Sequence, residues 1–205
     1  MLTAIFDAVM ERRSTRLIEH VGAWLPAEGP VLDLGSGTGH LAARLERERG
    51  IEIVPADVSD LHVVGRPPVL VADGALPFER DAFAGALLLF MLHYPADPAA
   101  LLAEVARVTR GPIILVQSLH AGGVGYAWLR VREFLWTTVA FHLSKAVGYV
   151  PPAARFSMSA RRFYTGARLA RDLAAAGLRL RSRRERPVLP GGALVVAGWV
   201  VERDA

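Results

Sequence analysis

A short strand that runs directly into a glycine-rich turn is the feature that most constrains how this chain can fold. Residues 31–34 read Val-Leu-Asp-Leu, and a helical pattern over residues 38–49 overlaps the end of the turn Gly35-Ser36-Gly37-Thr38-Gly39. Closely spaced glycines let a backbone approach a ligand, and a helix start offers free N–H groups and partial positive charge. This order of strand, turn and helix indicates a crevice for a nucleotide-like ligand at the carboxyl edge of a sheet.

The rest of the chain alternates short apolar strands with amphipathic helices, which is typical of a layered α/β domain with a mostly parallel sheet. The predicted strands are 31–34, 51–55, 69–72, 85–92, 113–117, 178–189 and 193–201. The predicted helices are 3–25, 38–49, a segment that begins after Asp97 and stops at Gly111-Pro112, and 165–176. The link over 59–68 is too short for a full crossover helix. Because Pro190-Gly191-Gly192 forms a hairpin turn, the sheet should end in an antiparallel pair.

The composition fits one globular domain. The 205 residues are 52% apolar and 21% charged, which excludes a disordered chain, and the absence of cysteine excludes a disulfide scaffold and a catalytic thiol. We expect a single domain over 1–205, with N-terminal helices over 1–28 and an insertion over about 120–159. The N-terminal charges follow the apolar residues, which is opposite to a signal peptide. The apolar stretch 134–144 is too short to span a bilayer, so a cytoplasmic location is the expectation.

The glycine turn departs from the dinucleotide pattern G-x-G-x-x-G, which requires a glycine where this chain has His40. The segment D-L-G-S-G-T-G, which begins at Asp33, instead resembles motif I of the class I S-adenosylmethionine-dependent methyltransferases. The resemblance extends over most of the chain, through Asp57 at the end of the second strand and Asp73 in V-A-D-G-A-L-P-F. The stretch D-A-F-A-G-A-L-L-L-F-M-L-H-Y resembles the small-molecule, methyltransferase type 11-like branch of this family. The segments L-L-A-E-V-A-R-V and A-A-G-L also match.

This resemblance implies a Rossmann-like, doubly wound sheet of seven strands in three α/β/α layers, mostly parallel with an antiparallel C-terminal strand. It implies S-adenosylmethionine as the cofactor, with its methionine end on the glycine turn, its ribose on Asp57 and its adenine near Asp73. The expected cofactor-binding residues are Asp33, Gly35, Ser36, Gly37, Thr38, Gly39, Asp57, Val58, Ala72, Asp73, Gly74 and Phe90. The sequence has no acidic cluster of the kind that a metal-dependent catechol enzyme uses, so no metal is expected.

Methyl transfer from a sulfonium is an in-line displacement with a neutral leaving group, so the protein's main task is to position the acceptor in a water-poor site. A hydroxyl acceptor would benefit from a base, and His93 and Tyr94, just after the fourth strand, are the candidate catalytic residues. A structural hydrogen bond for His93 and a packing role for Tyr94 are the alternatives. The candidate substrate-pocket residues are His120, Tyr126, Trp128, Phe163 and Tyr164.

The insertion over 120–159 is aromatic and carries few charges. The favoured interpretation is a lid that shapes a pocket for a small, fairly apolar acceptor. A homodimer interface and a helix in peripheral contact with a membrane surface are the competing interpretations.

The C-terminal third is basic, because ten arginines between Arg155 and Arg186 face only Asp172 and Glu185. This charge suggests an RNA methyltransferase as the rival enzyme, but charged residues also protect the edge strand of a sheet, so nucleic acid is not the expected partner. A non-catalytic methyltransferase-fold protein that binds another protein is the other alternative. A nicotinamide oxidoreductase is the most distant one.

Overall fold

The protein is described by a computed structural model, which covers residues 2–71, 75–154 and 159–203. The strands are β1 (Val31–Leu34), β2 (Ile53–Asp57), β3 (Val69–Leu70), β4 (Gly85–Leu89), β5 (Ile113–His120), β6 (Leu178–Pro187) and β7 (Leu194–Arg203). The helices are α1 (Leu2–Val21), α2 (His40–Arg49), α3 (Pro98–Val108), α4 (Gly122–Phe134), α5 (Phe141–Ala146) and α6 (Gly166–Ala175). Short 3₁₀ turns lie at Gly22–Trp24 and Pro190–Gly192.

The strands form one sheet in the order β3-β2-β1-β4-β5-β7-β6. The strands β3, β2, β1, β4 and β5 pair in parallel, whereas β7 runs antiparallel to both of its neighbours, β5 and β6. The predicted seven-stranded, mostly parallel sheet with an antiparallel C-terminal strand is therefore confirmed. All four residues of β1 are buried, as expected of a central strand that is covered on both faces.

Helices cover both faces of this sheet and give it three layers. On one face, Val21 of α1 and Leu45 of α2 pack against apolar residues of the central strands. On the other face, Leu102 of α3 and Leu169 of α6 do the same. The helix α3 begins as predicted, because the Asp97 side chain accepts a hydrogen bond of 3.0 Å from the Ala100 amide.

Several strand ends differ from the prediction, two of them for identifiable reasons. The strand β5 continues to His120, although its sequence turns polar at Gln117, because β7 pairs with it along its full length. The strand β4 ends at Leu89, because Phe90 adopts a left-handed backbone with φ 58°. The strand β2 begins at Ile53 rather than at residue 51. The link between β2 and β3 contains no helix, as expected from its length.

The predicted insertion is a helix that covers the carboxyl edge of the sheet. A π-helical turn over Leu135–Ala140 joins α4 to α5, so that residues 122–146 form one nearly continuous helical segment. We call this segment the covering helix. Few of its side chains are buried; Leu129 is one of them. Its position is fixed near Gly125, where an added Cβ would lie 2.0 Å from the Ala193 carbonyl oxygen.

Candidate cofactor site

The turn after β1 and the end of β2 meet at the carboxyl edge of the sheet. The Gly37 amide donates a hydrogen bond of 2.9 Å to Oδ2 of Asp57. The other carboxylate oxygen of Asp57 accepts hydrogen bonds from the amides of Val58, at 2.8 Å, and Ser59, at 3.4 Å. Burial raises the pKa of Asp57, and these amides oppose that increase. The geometry brings the glycine turn and Asp57 together, as the sequence predicts.

Asp33 is the buried acid of the site. It belongs to β1, its residue is 2% exposed, and its Oδ2 has no hydrogen-bond partner within the described ranges. Burial raises the pKa of Asp33 to about 7, and the nearby charge of Asp57 adds to the increase. A buried carboxylate without a partner is costly unless a cation or a donor compensates it. The site therefore suits a ligand with a positively charged group close to Asp33.

A cavity of about 240 Å³ opens in front of these groups. Its floor is the sheet edge and the glycine turn, and its walls come from α1 and the covering helix. The aromatic lining includes Phe6, Phe90, Trp136, Phe141 and Tyr149. Of the predicted cofactor-binding residues, Asp33, Gly35, Ser36, Gly37, Thr38, Asp57, Val58 and Phe90 line this cavity.

The other four predicted cofactor residues are Gly39 and three that the structure does not describe. Gly39 does not line the cavity; it lies at the start of α2, where an added Cβ would lie 2.3 Å from the Val64 carbonyl oxygen. Its role in this structure is to allow a close approach of two backbone segments. Ala72, Asp73 and Gly74 lie outside the described residues.

The two candidate catalytic residues occupy different positions. Tyr94 lines the cofactor cavity and is hydrogen-bonded to Glu133, and burial together with Glu133 raises the pKa of its hydroxyl. His93 does not line that cavity and is 4% exposed. Its Nδ1 lies 3.3 Å from Nε2 of Gln117, and its Nε2 lies 3.7 Å from Oε2 of Glu133.

Burial, together with the charge of the nearby Arg132, lowers the pKa of His93 to about 3. The imidazole is therefore neutral and a weak base at neutral pH; its Nδ1 contacts Gln117 of β5, and among the described residues its buried Nε2 has no hydrogen-bond partner. The low pKa and the contact with Gln117 favour the structural role for His93, whose side chain lines a second cavity next to the cofactor cavity.

Three of the five candidate substrate-pocket residues form a separate aromatic group. Tyr126 stacks edge-on against both His120 and Phe163, with ring centroids 5.5 Å and 5.6 Å apart. None of His120, Tyr126, Trp128, Phe163 and Tyr164 lines the cofactor cavity. Tyr164 is fully buried, and its hydroxyl donates to Oδ2 of Asp172 at 2.8 Å, so it belongs to the hydrophobic core.

The sequence analysis missed the contribution of the N-terminal helix. Phe6, Met10, Arg13 and Leu17 of α1 all line the cavity. Their spacings of four, three and four residues place them on one face of a helix. This periodicity was visible in the sequence, but it does not reveal that the helix packs over the ligand crevice.

The residues present fit a nucleotide-like cofactor with a cationic end. Asp57 ends β2 with its carboxylate at the cavity, and Asp33 has an oxygen without a partner. A Cβ at Gly37 would meet no atom within 4 Å, so the turn leaves room for a ligand. Within residues 2–71, 75–154 and 159–203 there is no group of three or more His, Asp or Glu that could hold a metal ion. Fold and site together define the class of α/β proteins that bind an adenosyl cofactor at the end of the first strand.

Comparison with known families identifies the class more closely. Residues 6–183 match the model of a family described as a methyltransferase domain. The chain belongs to this family, within the class I S-adenosylmethionine-dependent methyltransferases. The resemblance stated from motif I and the cofactor that it implies, S-adenosylmethionine, are thereby confirmed.

Relatives and solved structures agree with this assignment. An uncharacterized methyltransferase of Mycobacterium tuberculosis is 31% identical over 160 residues, with 65% of this chain and 64% of the relative covered. An uncharacterized protein of the same organism is also 31% identical over 160 residues, with 76% of this chain and 48% of the relative covered. The chain thus spans less than two thirds of the length of these curated relatives.

Two solved structures share the fold at low identity. The methyltransferase in the complex with the Haloferax volcanii activator Trm112 has a TM-score of 0.65 and 18% identity, with 96% of this chain and 94% of that chain covered. The 1,6-didemethyltoxoflavin N1-methyltransferase of Burkholderia thailandensis, solved with that compound and S-adenosylhomocysteine, has a TM-score of 0.55 and 21% identity, with coverages of 93% and 76%.

Across the described residues, the structure contains no helix that combines the length and the apolar character needed to cross a lipid bilayer.

Proposed function

We propose that this protein transfers the methyl group of S-adenosylmethionine to a small, fairly apolar acceptor. The observation that carries this proposal is the convergence of the glycine turn, Asp33 and Asp57 on one cavity that the aromatic side chains of α1 and the covering helix close. The bound cofactor supplies a methyl group on a sulfonium, which needs no further activation. The protein's own contribution is binding, orientation and the exclusion of water.

The individual residues suggest distinct roles in this function. Asp57, held by three amides, is placed to accept hydrogen bonds from the ribose hydroxyls. Asp33 would compensate the positive charge of the cofactor's amino-acid end. Tyr94, with its raised pKa, stays protonated at neutral pH; its hydroxyl donates to Glu133, and its oxygen can accept a hydrogen bond in the cavity. Transfer to an acceptor that is already nucleophilic would need no base.

The covering helix acts as a lid in this proposal, and residues 1–205 form one functional unit. Support comes from Trp136 and Phe141, whose side chains line the cofactor cavity together with Phe6 of α1. The same helix also carries exposed apolar residues, such as Val131, Phe134 and Leu135, which lie away from the core. The covering helix can therefore act as a lid with one face and make a further contact with its outer face.

Isothermal titration calorimetry tests the cofactor part of the proposal. S-adenosylhomocysteine should bind at least tenfold more tightly than NAD. Asp57→Ala should weaken its binding by about tenfold or more, because hydrogen bonds to a charged group each contribute about 1.5–3 kcal/mol. Asp60→Ala is the matched control, since Asp60 is exposed in the same loop and does not line the cavity.

Transfer itself is measured with S-adenosylmethionine that carries a labelled methyl group, offered with a panel of small aromatic and aliphatic acceptors. Transfer of the label to at least one small acceptor supports the proposal if the Asp57→Ala variant no longer makes this transfer. Absence of binding of either adenosyl ligand contradicts it. Binding without transfer to any acceptor would instead favour the non-catalytic alternative.

A further inference from the structure

A second cavity, of about 690 Å³, adjoins the cofactor cavity. It lies between α1, the covering helix and the β6–β7 pair. Arg13, Phe90, Tyr94 and Trp136 line both cavities, so the two spaces share a wall. Phe90 is the residue that ends β4 with a left-handed backbone, a costly conformation for a bulky side chain. An acceptor in the second cavity would therefore lie next to the proposed cofactor.

The second cavity is strongly cationic. Its lining contains two glutamates, Glu19 and Glu133, against six arginines, which are Arg12, Arg13, Arg16, Arg132, Arg184 and Arg186. Six positive and two negative charges leave a formal charge of +4. Within the described part of the chain, none of these six arginines has a carboxylate oxygen within 4.0 Å.

Three other arginines of the edge strand β6 show the opposite arrangement. Arg179 and Arg181 both pair with Glu202, and Arg183 pairs with Glu185. These three therefore have carboxylate partners, whereas the six cavity arginines, two of which belong to the same strand, have no described carboxylate within 4.0 Å. Such an arrangement attracts an anion into the cavity, because the fields of the surrounding positive charges add there.

Arg13 and Arg132 are the two arginines best placed to hold that anion. The Arg13 guanidinium lies 5.5 Å from the ring centroid of Phe90 and 5.7 Å from that of Trp136. Arg132 donates a hydrogen bond of 3.2 Å to Oγ of Ser118 and lies against Trp128. Burial lowers the pKa of both arginines, and for Arg13 the charge of Arg132 adds to the decrease. A bound anion would relieve this repulsion.

We propose that the second cavity is the acceptor site and that it selects an acceptor with an anionic group, a carboxylate or a phosphate, held by Arg13 and Arg132. The apolar body of the acceptor would face Phe90 and Trp136 at the boundary with the cofactor cavity. This inference rests on the proposed function, because it names the class of acceptor for the same site. It requires that the anion bind through Arg132, which lines only the second cavity, together with Arg13, which lines both.

The test is a calorimetric binding titration of the full chain. It is carried out with and without saturating S-adenosylhomocysteine. The probes are phenylacetate and phenyl phosphate, which carry the two candidate anions on one apolar body, and phenylacetamide as the neutral counterpart of phenylacetate. Arg132→Gln removes a charge that lines only the second cavity, and Arg132→Lys keeps that charge. Arg130→Gln is the matched control, because Arg130 is an exposed arginine of the same helix that lines neither cavity.

One anion should bind at least tenfold more tightly than phenylacetamide, and the stronger of the two identifies the preferred group. Arg132→Gln should weaken that anion by about tenfold, whereas Arg132→Lys and Arg130→Gln should retain most of the affinity. If S-adenosylhomocysteine binds but neither anion exceeds phenylacetamide, the inference is wrong. It is also wrong if Arg13→Gln weakens the binding of S-adenosylhomocysteine while Arg132→Gln leaves the affinity for both anions unchanged, since Arg13 would then bind the cofactor.

The titration without S-adenosylhomocysteine separates this inference from the proposed function. Anion binding that depends on Arg132 but is accompanied by no adenosyl binding counts against the proposed function and supports an anion site.

Discussion

Gly37 and Gly39, in the turn after β1, have left-handed backbones for different reasons. Gly37 has φ 58°, and an added Cβ would enter open space at the cavity wall. Gly39 has φ 82°, and an added Cβ would lie 2.3 Å from the backbone oxygen of Val64. The first glycine leaves room for a ligand, and the second leaves room for the protein's own chain.

This difference predicts opposite outcomes for the two alanine variants. Gly39→Ala should lower the free energy of unfolding by roughly 2–4 kcal/mol, because the new methyl group overlaps a backbone atom that has no free rotation. Gly37→Ala should lower it by only about 1 kcal/mol, the cost of the left-handed backbone, yet it should abolish binding of S-adenosylhomocysteine. Urea denaturation and calorimetry on the same samples measure both effects. Equal stability loss in the two variants would contradict this explanation.

Asp33 makes the stability of the free protein depend on pH. Its pKa is about 7 in the folded protein, above the ordinary value of 3.8, because it is buried. The folded state therefore binds this proton more tightly than the unfolded state does. The stability that the protonated carboxyl provides is complete below pH 4 and is lost as the pH rises through 7.

Asp33→Asn should remove this dependence, because the amide does not ionise. As the pH rises from 5 to 8, the thermal stability of the parent protein should fall relative to that of the variant. The affinity of the variant for S-adenosylhomocysteine should be at least tenfold lower than that of the parent at pH 8. Thermal denaturation at both pH values and calorimetry at pH 8 measure these changes. Asp60→Asn, at an exposed position, should show neither change. A variant with unaltered affinity would show that Asp33 does not face the cofactor.

The candidate cofactor residues could be read from the sequence because they are local. Residues 33–38 follow one another in a single turn, and Asp57 closes the next strand, so strand and turn patterns are enough to place them together. Arg13, Glu133 and Trp136 could not be placed, since they reach the site only through the packing of α1 and the covering helix. The aromatic residues Tyr126 and Phe163 were expected in the pocket on composition alone, but they stack against each other elsewhere.

At the scale of elements, the sheet was predictable and the covering helix was not. Strands such as β1 and β4 are continuous apolar runs between turn signals, and their burial on both faces explains why the pattern is so clear. The covering helix buries few side chains, so it lacks the apolar periodicity by which a core-facing helix is recognised. Its placement depends on contacts with segments distant in the sequence.

A small polar cluster connects three of these elements. Nε2 of His40, at the start of α2, lies 2.9 Å from Oδ1 of Asp7 in α1. The Tyr149 hydroxyl, just after the covering helix, lies 3.3 Å from the same His40 nitrogen and 3.5 Å from Asp7. Nδ1 of His40 lies 3.0 Å from the Thr38 hydroxyl in the glycine turn. The cluster therefore holds α1 and the end of the covering helix against the glycine turn.

Tyr149→Phe should loosen this closure without removing the aromatic wall of the cavity. The free energy of unfolding should fall by about 0.5–1.5 kcal/mol, the usual contribution of one hydrogen bond. S-adenosylhomocysteine should dissociate several-fold faster, with a smaller change in its association rate. Stopped-flow measurements of both rates test this expectation. Tyr126→Phe is the control, because Tyr126 is an exposed tyrosine of α4 outside both cavities. An unchanged dissociation rate would show that the cluster does not control cofactor release.

At the scale of the whole molecule, the positive charge has two different environments. The chain carries 24 Lys and Arg against 20 Asp and Glu, for a net charge of +4. On the edge strand β6, Arg179, Arg181 and Arg183 pair with glutamates, and Arg183 also lies 5.0 Å from the ring centroid of Trp199. Paired charges at a sheet edge oppose association with another strand and contribute little to a long-range field.

This pairing predicts weak binding of RNA. At about 150 mM salt, a single-stranded RNA should bind only in the non-specific range, with a dissociation constant on the order of 10⁻⁴ to 10⁻⁶ M. Replacing Arg179, Arg181 and Arg183 with glutamine should change that affinity by less than about threefold, because Glu202 and Glu185 balance two of their three charges. Fluorescence anisotropy across a salt series measures both quantities. Tight RNA binding that is lost in the triple variant would instead support the RNA methyltransferase. The three arginines would then exchange their glutamate partners in the free protein for RNA phosphates.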